Sequence, residues 1–426
     1  MKRILLSLLL ILLLTETTFG WEFSLGPGLS LKNALLYVIL GVFTIEAAIY
    51  HHLRFQSRSV LTPFGLYVVY GCFSYFIAAF VVHPDYYQIV NAGIMVKGRL
   101  LDYFIIFLLF FYGTNSTEST LKLVRFFLWI VVAGNVLTVV DGFDIPDLGI
   151  IQQREDGRLG GPMGESNQYG AFLAFTVPAV IALYWDPRVR KVFAIPAILI
   201  SVLALLVASS RGSFVGLVVG GLFSAYFLRA YISMRQVALG AIAASVFLMV
   251  MFFLLLNTQL AGDLVERFMD KATAGDTATI SSGRTVIWQT ALLRMLEYPA
   301  TLLTGYGFNA YDYMGFRFNS HNTFLNVFYN LGVPGLVFYV AIICNIVAAC
   351  RRGIAAATGS VRAHLIAFVF GYSALYVSLF FVDLYAPWMF IWAYAGLALR
   401  LATDASHAEV EVEQESSPKQ SSALLY

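Results

Sequence analysis

An all-α bundle of about twelve membrane-spanning helices, with one long extracytoplasmic loop carrying an amphipathic helix, is the fold class this sequence predicts. Three observations predict it. Of the 426 residues, 59% are hydrophobic and only 12% are charged, against roughly 25% charged for an ordinary soluble domain. Charge-free runs recur along the whole length at the size of a bilayer-crossing helix. These runs are continuous, unlike the alternating segments of about ten residues that build an outer-membrane barrel. A backbone in lipid must satisfy its amides within its own segment, so the runs are read as helices.

The spans fall at about 4–20, 31–50, 61–82, 99–113, 121–140, 167–185, 192–208, 213–228, 237–256, 322–349, 362–382 and 386–400. The first, "MKRILLSLLLILLLTETTFG", has a basic start, an apolar centre and small residues at its end. It reads equally as a first transmembrane helix or as a cleaved signal-like segment, residues 1–20. Residues 21–400 form the transmembrane domain. With the N-terminus inside, sixteen of the 27 Lys and Arg residues, from Lys2 and Arg3 to Arg400 and Lys419, lie on the cytoplasmic side. That orientation places Arg158, Arg211, Arg284 and His321 outside, along with the long loop 257–321. Residues 401–426 are acidic and serine-rich, and are expected to be a disordered cytoplasmic tail.

Composition also narrows the function. A net charge of +2 gives no reason to expect a nucleic-acid partner. Cys72, Cys344 and Cys350 form no CxxC pair and read as small apolar residues rather than metal ligands or a disulfide framework. Glu46 and Asp102 lie towards span ends, which gives little support to a proton relay through the membrane.

Four stretches carry the chemistry. In "SSGRTVIWQTALLRMLEYP", Ser281 or Ser282 could cap a helix beginning near Gly283, with Val286, Ile287, Ala291, Leu292, Met295 and Leu296 at helical spacing. This is the amphipathic helix expected on the membrane surface. Arg284 stands in its first turn, where the macrodipole disfavours a cation unless an anion binds there. A snorkelling arginine is the plain alternative. In "ASSRGSFVGLVVGG", Arg211 stands where two spans meet with almost no loop. A charge at that depth is costly, so Arg211 is either a paired structural residue or an anion-binding one.

The third stretch, "REDGRLGGPMGESNQYG", sets Arg158 and Asn167 on either side of a glycine-rich turn. The same loop carries Asp141, Asp144, Asp147, Glu155, Asp156 and Glu165, which could hold a divalent cation or simply face solvent. In the fourth, "NSHNTFLNVFYNLG", His321 opens a long apolar run. A neutral imidazole can take a proton from a hydroxyl at neutral pH, and Asn322 could orient it; a loop-end structural histidine is the plain alternative.

Taken in order, "RLGGPMGESNQYGAFLAF", "SSRGSFVGLVVG", "SGRTVIWQTALLRMLEYPATLLTGYGFNAY" and "SHNTFLNVFYNLGVPGLVFYV" resemble the O-antigen ligase family of bacterial membrane glycosyltransferases, which includes O-antigen and exopolysaccharide polymerases. The pieces span residues 158–340. The resemblance implies transfer of glycan from an undecaprenyl-diphosphate-linked oligosaccharide donor to an acceptor hydroxyl, on lipid A core or a growing polysaccharide. It further implies a site at the periplasmic face of the bacterial inner membrane, in contact with membrane lipid and needing neither metal nor other cofactor. Position by position, Arg211 and Arg284 match arginines that would hold the diphosphate, and Arg158 matches a further basic position. His321 matches the loop-end histidine expected to act as general base. "GPMGESN" departs from the glycine-proline-asparagine turn of that pattern, which bears on Asn167. A transporter or flippase of lipid-linked glycan is the reading from another class, and it would need no base at the outer face.

Overall fold

The computed structural model of the protein describes residues 2–19, 24–26, 29–50, 57–82, 85–142, 149–151, 158–233, 235, 240, 283–314 and 319–416. The span expected at 237–256 and the first part of the loop expected at 257–321 lie outside the described residues, as do Ser281 and Ser282. The described residues form an all-α, multi-pass membrane protein with one small hairpin, β1 (Ser24–Gly26) antiparallel to β2 (Leu29–Ser30).

Among the described residues, six helical stretches are long and apolar enough to cross a membrane: Leu31–Ile49, Arg58–Val82, Thr117–Gly142, Lys191–Ala208, Thr323–Ala356 and Gly359–Ser378. The other expected spans among the described residues are helical but shorter or more charged. Helix α1 (Lys2–Phe19) carries Lys2, Arg3 and Glu16. It buries Leu6, Leu9, Leu10 and Leu13 and packs on α2 (Leu31–Tyr50) and α6 (Thr117–Gly142). Its ends are tied to α2 by Lys2–Glu46 at 2.7 Å and Glu16–Lys32 at 2.5 Å.

The span expected at 99–113 begins ten residues earlier. Helix α4 (Ile89–Val96), a π-helical turn at Lys97–Leu101 and α5 (Asp102–Tyr112) run on without a break. Lys97, Arg99 and Asp102 lower the hydropathy there, but each charge is answered inside the fold. Lys97 Nζ lies 3.1 Å from Asp102 Oδ2, and the Tyr37 hydroxyl donates to Asp102 Oδ1 at 2.6 Å. A second π-turn, Ile77–Val82, follows α3 (Arg58–Phe76). Such wide turns are rare and mark places where a helix is bent to serve a neighbour.

Helices α7 (Ser166–Ala182), α8 (Lys191–Ala208), α9 (Arg211–Phe227), α12 (Thr323–Ala356), α13 (Gly359–Ser378) and α14 (Trp388–Ser416) complete the bundle. Two shorter helices, α10 (Arg284–Glu297) and α11 (Thr301–Thr304), lie between α9 and α12 in the chain. Helix α13 packs on α7 and α9, and α14 packs on α5 and α12. Close approach of α9 to α13 depends on small residues: a side chain at Gly220 would meet the Ala374 backbone at 2.5 Å. Without water to drive helices together, such backbone proximity is a main source of cohesion in a membrane.

Helix α12 is kinked at Gly332 (φ 64°, ψ −166°), two residues before Pro334. Pro334 removes a helical hydrogen bond, and α11 packs against α12 there. Helix α14 continues to Ser416, so the stretch from 401 that was expected to be a disordered tail is helical as far as that residue. Arg400 and Asp404, one turn apart at 2.9 Å, stabilise the continuation.

Candidate functional site

Four helices begin at one end of the bundle, and the sequence-predicted site residues are found at those beginnings. Helix α7 starts after Glu165, whose carboxylate accepts from the Asn167 amide at 3.2 Å and the Gln168 amide at 2.8 Å. Helix α9 starts with Arg211, and α10 starts with Arg284. Helix α12 starts two residues after His321, with Asn322 as its cap. A helix start presents unpaired amides and partial positive charge, a local environment suited to an anion. Side chains cap α7 and α12, whereas Ser210 before Arg211 and Gly283 before Arg284 provide no side-chain cap.

The turn before α7 explains how Arg158 arrives. "GGPMG" forms a short 3-10 turn at Gly161–Met163, with Gly161 at φ 53°. That conformation suits glycine, and a side chain there would also strike the Tyr169 ring at 2.5 Å. Tyr169 is fixed in turn by its hydroxyl, which donates to Asn135 Oδ1 at 2.8 Å. Leu159 anchors the turn to α8, its amide donating to the Val207 carbonyl at 3.3 Å. Arg158 Nη1 then reaches Asn167 Oδ1 at 3.3 Å, and Asn167 Nδ2 donates to Glu165 Oε1 at 2.8 Å. Among the acids of this loop, Glu165 caps α7 and Asp141 accepts from the Ile150 amide at 2.8 Å. Asp144, Asp147, Glu155 and Asp156 lie outside the described residues.

The three arginines share one electrostatic neighbourhood. Burial lowers the pKa of Arg284, and the charge of Arg211 lowers it further. Glu165 and Asp383 pull it the other way, and Arg158 lowers it again. Three guanidiniums within reach of one another repel, and only a dianionic partner or a dispersed set of carboxylates relieves that.

Helix α10 is amphipathic in the expected way. Ala291 and Met295 are fully buried, packed with Ile287, Trp288, Tyr311, Leu325 and Tyr329. Val286, Leu292, Leu293 and Leu296 remain exposed. The helix therefore has one apolar strip against protein and another left facing outward, as suits a helix lying at a bilayer surface.

His321 adopts φ 48°, an uncommon backbone conformation for a residue with a Cβ. Its neighbours hold it there. Ser320 Oγ donates to Asp383 Oδ2, and the His321 amide donates to the same carboxylate. The Trp288 indole of α10 donates to the Ser320 carbonyl at 2.7 Å. Thr323 ties the turn to the α13–α14 connection, its amide donating to the Leu379 carbonyl at 2.9 Å and its hydroxyl to the Val382 carbonyl at 3.0 Å. Asn322, expected to orient His321, has another use: its Oδ1 accepts from the Leu325 amide at 3.1 Å and caps α12.

Sequence reasoning missed Asp383, Trp288 and Arg99. Asp383 is 5% exposed, and burial pushes its carboxyl up to about 6 against the hydrogen bond from Ser320. The Asp312 charge raises it further, while the His321 amide and Arg99 hold it back. It had a signal, since an acid between two closely spaced spans is as unusual as Arg211 between two others. Trp288 was visible as the one indole in an amphipathic helix. Arg99 was read as the edge of a span.

The molecule is thus a multi-pass membrane protein in which helix starts and the turns leading into them bring three arginines and a histidine to one end. Residues 196–340 match the family model described as O-Antigen ligase. The match includes Arg211, Arg284 and His321; Arg158 and Asn167 precede it. A search of curated proteins finds no match to the chain.

Proposed function

We propose that the protein transfers glycan from an undecaprenyl-diphosphate carrier to an acceptor hydroxyl, as an O-antigen ligase-like enzyme of the bacterial inner membrane. The site faces the periplasm, on the side that the Lys and Arg distribution assigns to it. The acceptor is lipid A core or a growing polysaccharide, and the bond chemistry is the same for both. The observation that carries this reading is the crowding of Arg211, Arg158 and Arg284, with the two uncapped helix starts at Arg211 and Arg284.

In the reaction the acceptor oxygen attacks the anomeric carbon of the carrier-linked sugar. The bond from that carbon to the diphosphate oxygen breaks, and its electron pair stays on the diphosphate. Arg211 and Arg284, supported by Arg158, hold the diphosphate and neutralise the charge that grows on it. The acceptor proton passes to the His321 ring. The positive φ at His321 supports this role, because a strained turn held by Ser320, Asp383 and Trp288 fixes where the ring projects. Asn167 positions Arg158 through the 3.3 Å contact. The exposed apolar strip of α10 keeps Arg284 at the bilayer surface, where the carrier's diphosphate lies.

Purified protein, lipid-linked glycan and candidate acceptors test the proposal. Transfer by the parent and its loss in His321→Ala and Arg284→Ala is the expected result. Transfer by both variants at the parental rate would sink the roles given to these residues, and no transfer by the parent would favour a transporter.

A further inference from the structure

Behind the His321 turn, α3, the α4–α5 helix, α12 and the connection before α14 surround a cavity of about 90 Å³. That is several times the space one water molecule needs. Its polar groups are few and specific. Asp383 lines it, 5% exposed, and among the described residues its Oδ1 has no hydrogen-bond partner while Oδ2 receives the Ser320 hydroxyl. Arg99, turned inward by the π-helical stretch, stacks 4.2 Å above the Tyr385 ring and donates to Asn309 at 2.8 Å. Asn326 adds an amide whose Oδ1 accepts from Asn330 Nδ2 at 2.7 Å, and Trp388 and Trp392 line the cavity as a stacked pair 5.7 Å apart.

Each feature excludes a class of occupant. A polyprenyl chain would leave the carboxylate facing hydrocarbon, at a large desolvation cost. A diphosphate would be repelled by Asp383 and is better served by the arginine cluster. A polyhydroxylated ring fits both halves: its C–H faces rest on indole and phenol rings, and its hydroxyls donate to carboxylate and amide oxygens. Resting on the glycan-transfer reading, we propose that this cavity binds a neutral sugar unit of the glycan, with Asp383 Oδ1 accepting a hydroxyl proton in a hydrogen bond and the Trp388–Trp392 pair supporting the ring. Asp383 also receives the His321 amide and lies within electrostatic reach of Arg284, so the bound sugar adjoins the reacting groups.

The sugar could belong to the donor repeat unit or to the acceptor, and two probes separate them. Each is a phosphate-free glycan released by mild acid, one from the lipid-linked donor pool and one from envelope acceptors of the producing cell. Saturation-transfer NMR on the full chain in nanodiscs should show saturable binding of one probe. Asp383→Asn and Asn326→Ala should each weaken it at least tenfold, the second without touching the His321 turn. Binding of bare undecaprenyl diphosphate should stay at the parental level in Asn326→Ala. Absence of binding by both probes, parental affinity in both variants, or displacement of the sugar by bare carrier would overturn the inference. The transfer assay keeps the two failures apart: a parent that transfers glycan yet binds neither probe loses only the cavity assignment. A parent that binds sugar through Asp383 but transfers nothing loses the enzyme reading instead.

Discussion

Arg284 and the arginines at the other end of the bundle stand in opposite electrostatic surroundings. At the end away from His321, cations are paired. Arg125 Nε meets Asp186 Oδ2 at 2.7 Å, His364 Nε2 reaches the same oxygen at 3.2 Å, and the Arg188 amide donates to Asp186 Oδ1 at 3.0 Å. Arg188 also pairs with Glu118, and Arg400 with Asp404. Burial would raise the Asp186 carboxyl, but His364, Arg125 and the Arg188 amide overcome it and hold the group far below the usual carboxylate range. At the His321 end, Arg284 is instead crowded by Arg211 and Arg158, and the nearby acid Asp383 is pushed upward. Paired charge fastens loops to helices. Crowded like charge costs stability and persists where function needs an anion bound.

The comparison can be broken by substitution at each end. The largest expected effect is on activity: Arg284→Ala lowers glycan transfer by about 10²–10³-fold, the range for losing one preorganised charge-stabilising donor. Its melting temperature stays the same or rises, because a repulsion is removed. His321→Ala lowers transfer by about 10²–10⁴-fold, the usual contribution of a general base, with binding of the bare carrier retained. A transfer assay beside a thermal melt checks both.

At the paired end the order reverses. Asp186→Ala leaves the largely enclosed Arg125 without its carboxylate, which costs up to about 3 kcal/mol of stability, while transfer per folded molecule is unchanged. Because the folded Asp186 carboxyl is depressed, its stabilisation is present above the ordinary aspartate range, about 3.9, and is lost as pH falls through the folded value. Chemical denaturation at several pH values measures this.

Asp383 gives a smaller effect of the opposite sign. Its folded pKa of about 6 lies above the ordinary value, so its contribution to stability is full below that ordinary value and is lost as pH rises through about 6. Sugar binding should move the other way, weakening as pH falls below about 6 and the carboxylate is protonated. The groups facing it are Ser320, the His321 amide, Asp312, Arg99, Arg284, Tyr311 and Tyr385. Asp383→Asn should abolish both trends. Smallest of all, Arg188→Ala removes an exposed pair with Glu118 and should leave melting temperature and transfer alike unchanged.

Much of this arrangement is legible in the sequence because lipid makes charge expensive. Arg211 between two apolar runs, Arg284 opening an amphipathic repeat and His321 before a span are local anomalies, and each sits at a helix start as read. What was not legible depends on pairing between distant segments. Lys97, Arg99 and Asp102 look like the edge of a span until Tyr37, Asn309 and Asp312 are brought to them. Asn322 looks like a partner for His321, but its oxygen is taken by the Leu325 amide. Asp383 lies 62 positions after His321 and meets its turn only through the packing of α13 and α14. Helix α14 runs on past the apolar residues because Arg400, Asp404 and Thr117 satisfy one another there.

Binding of undecaprenyl diphosphate to the purified protein in a metal chelator tests most directly the claim that the crowded arginines hold an anion. The expected result is saturable binding, weakened at least tenfold in Arg211→Ala and in Arg284→Ala and unaltered in Arg188→Ala. Equal binding by the parent and both site variants would contradict it.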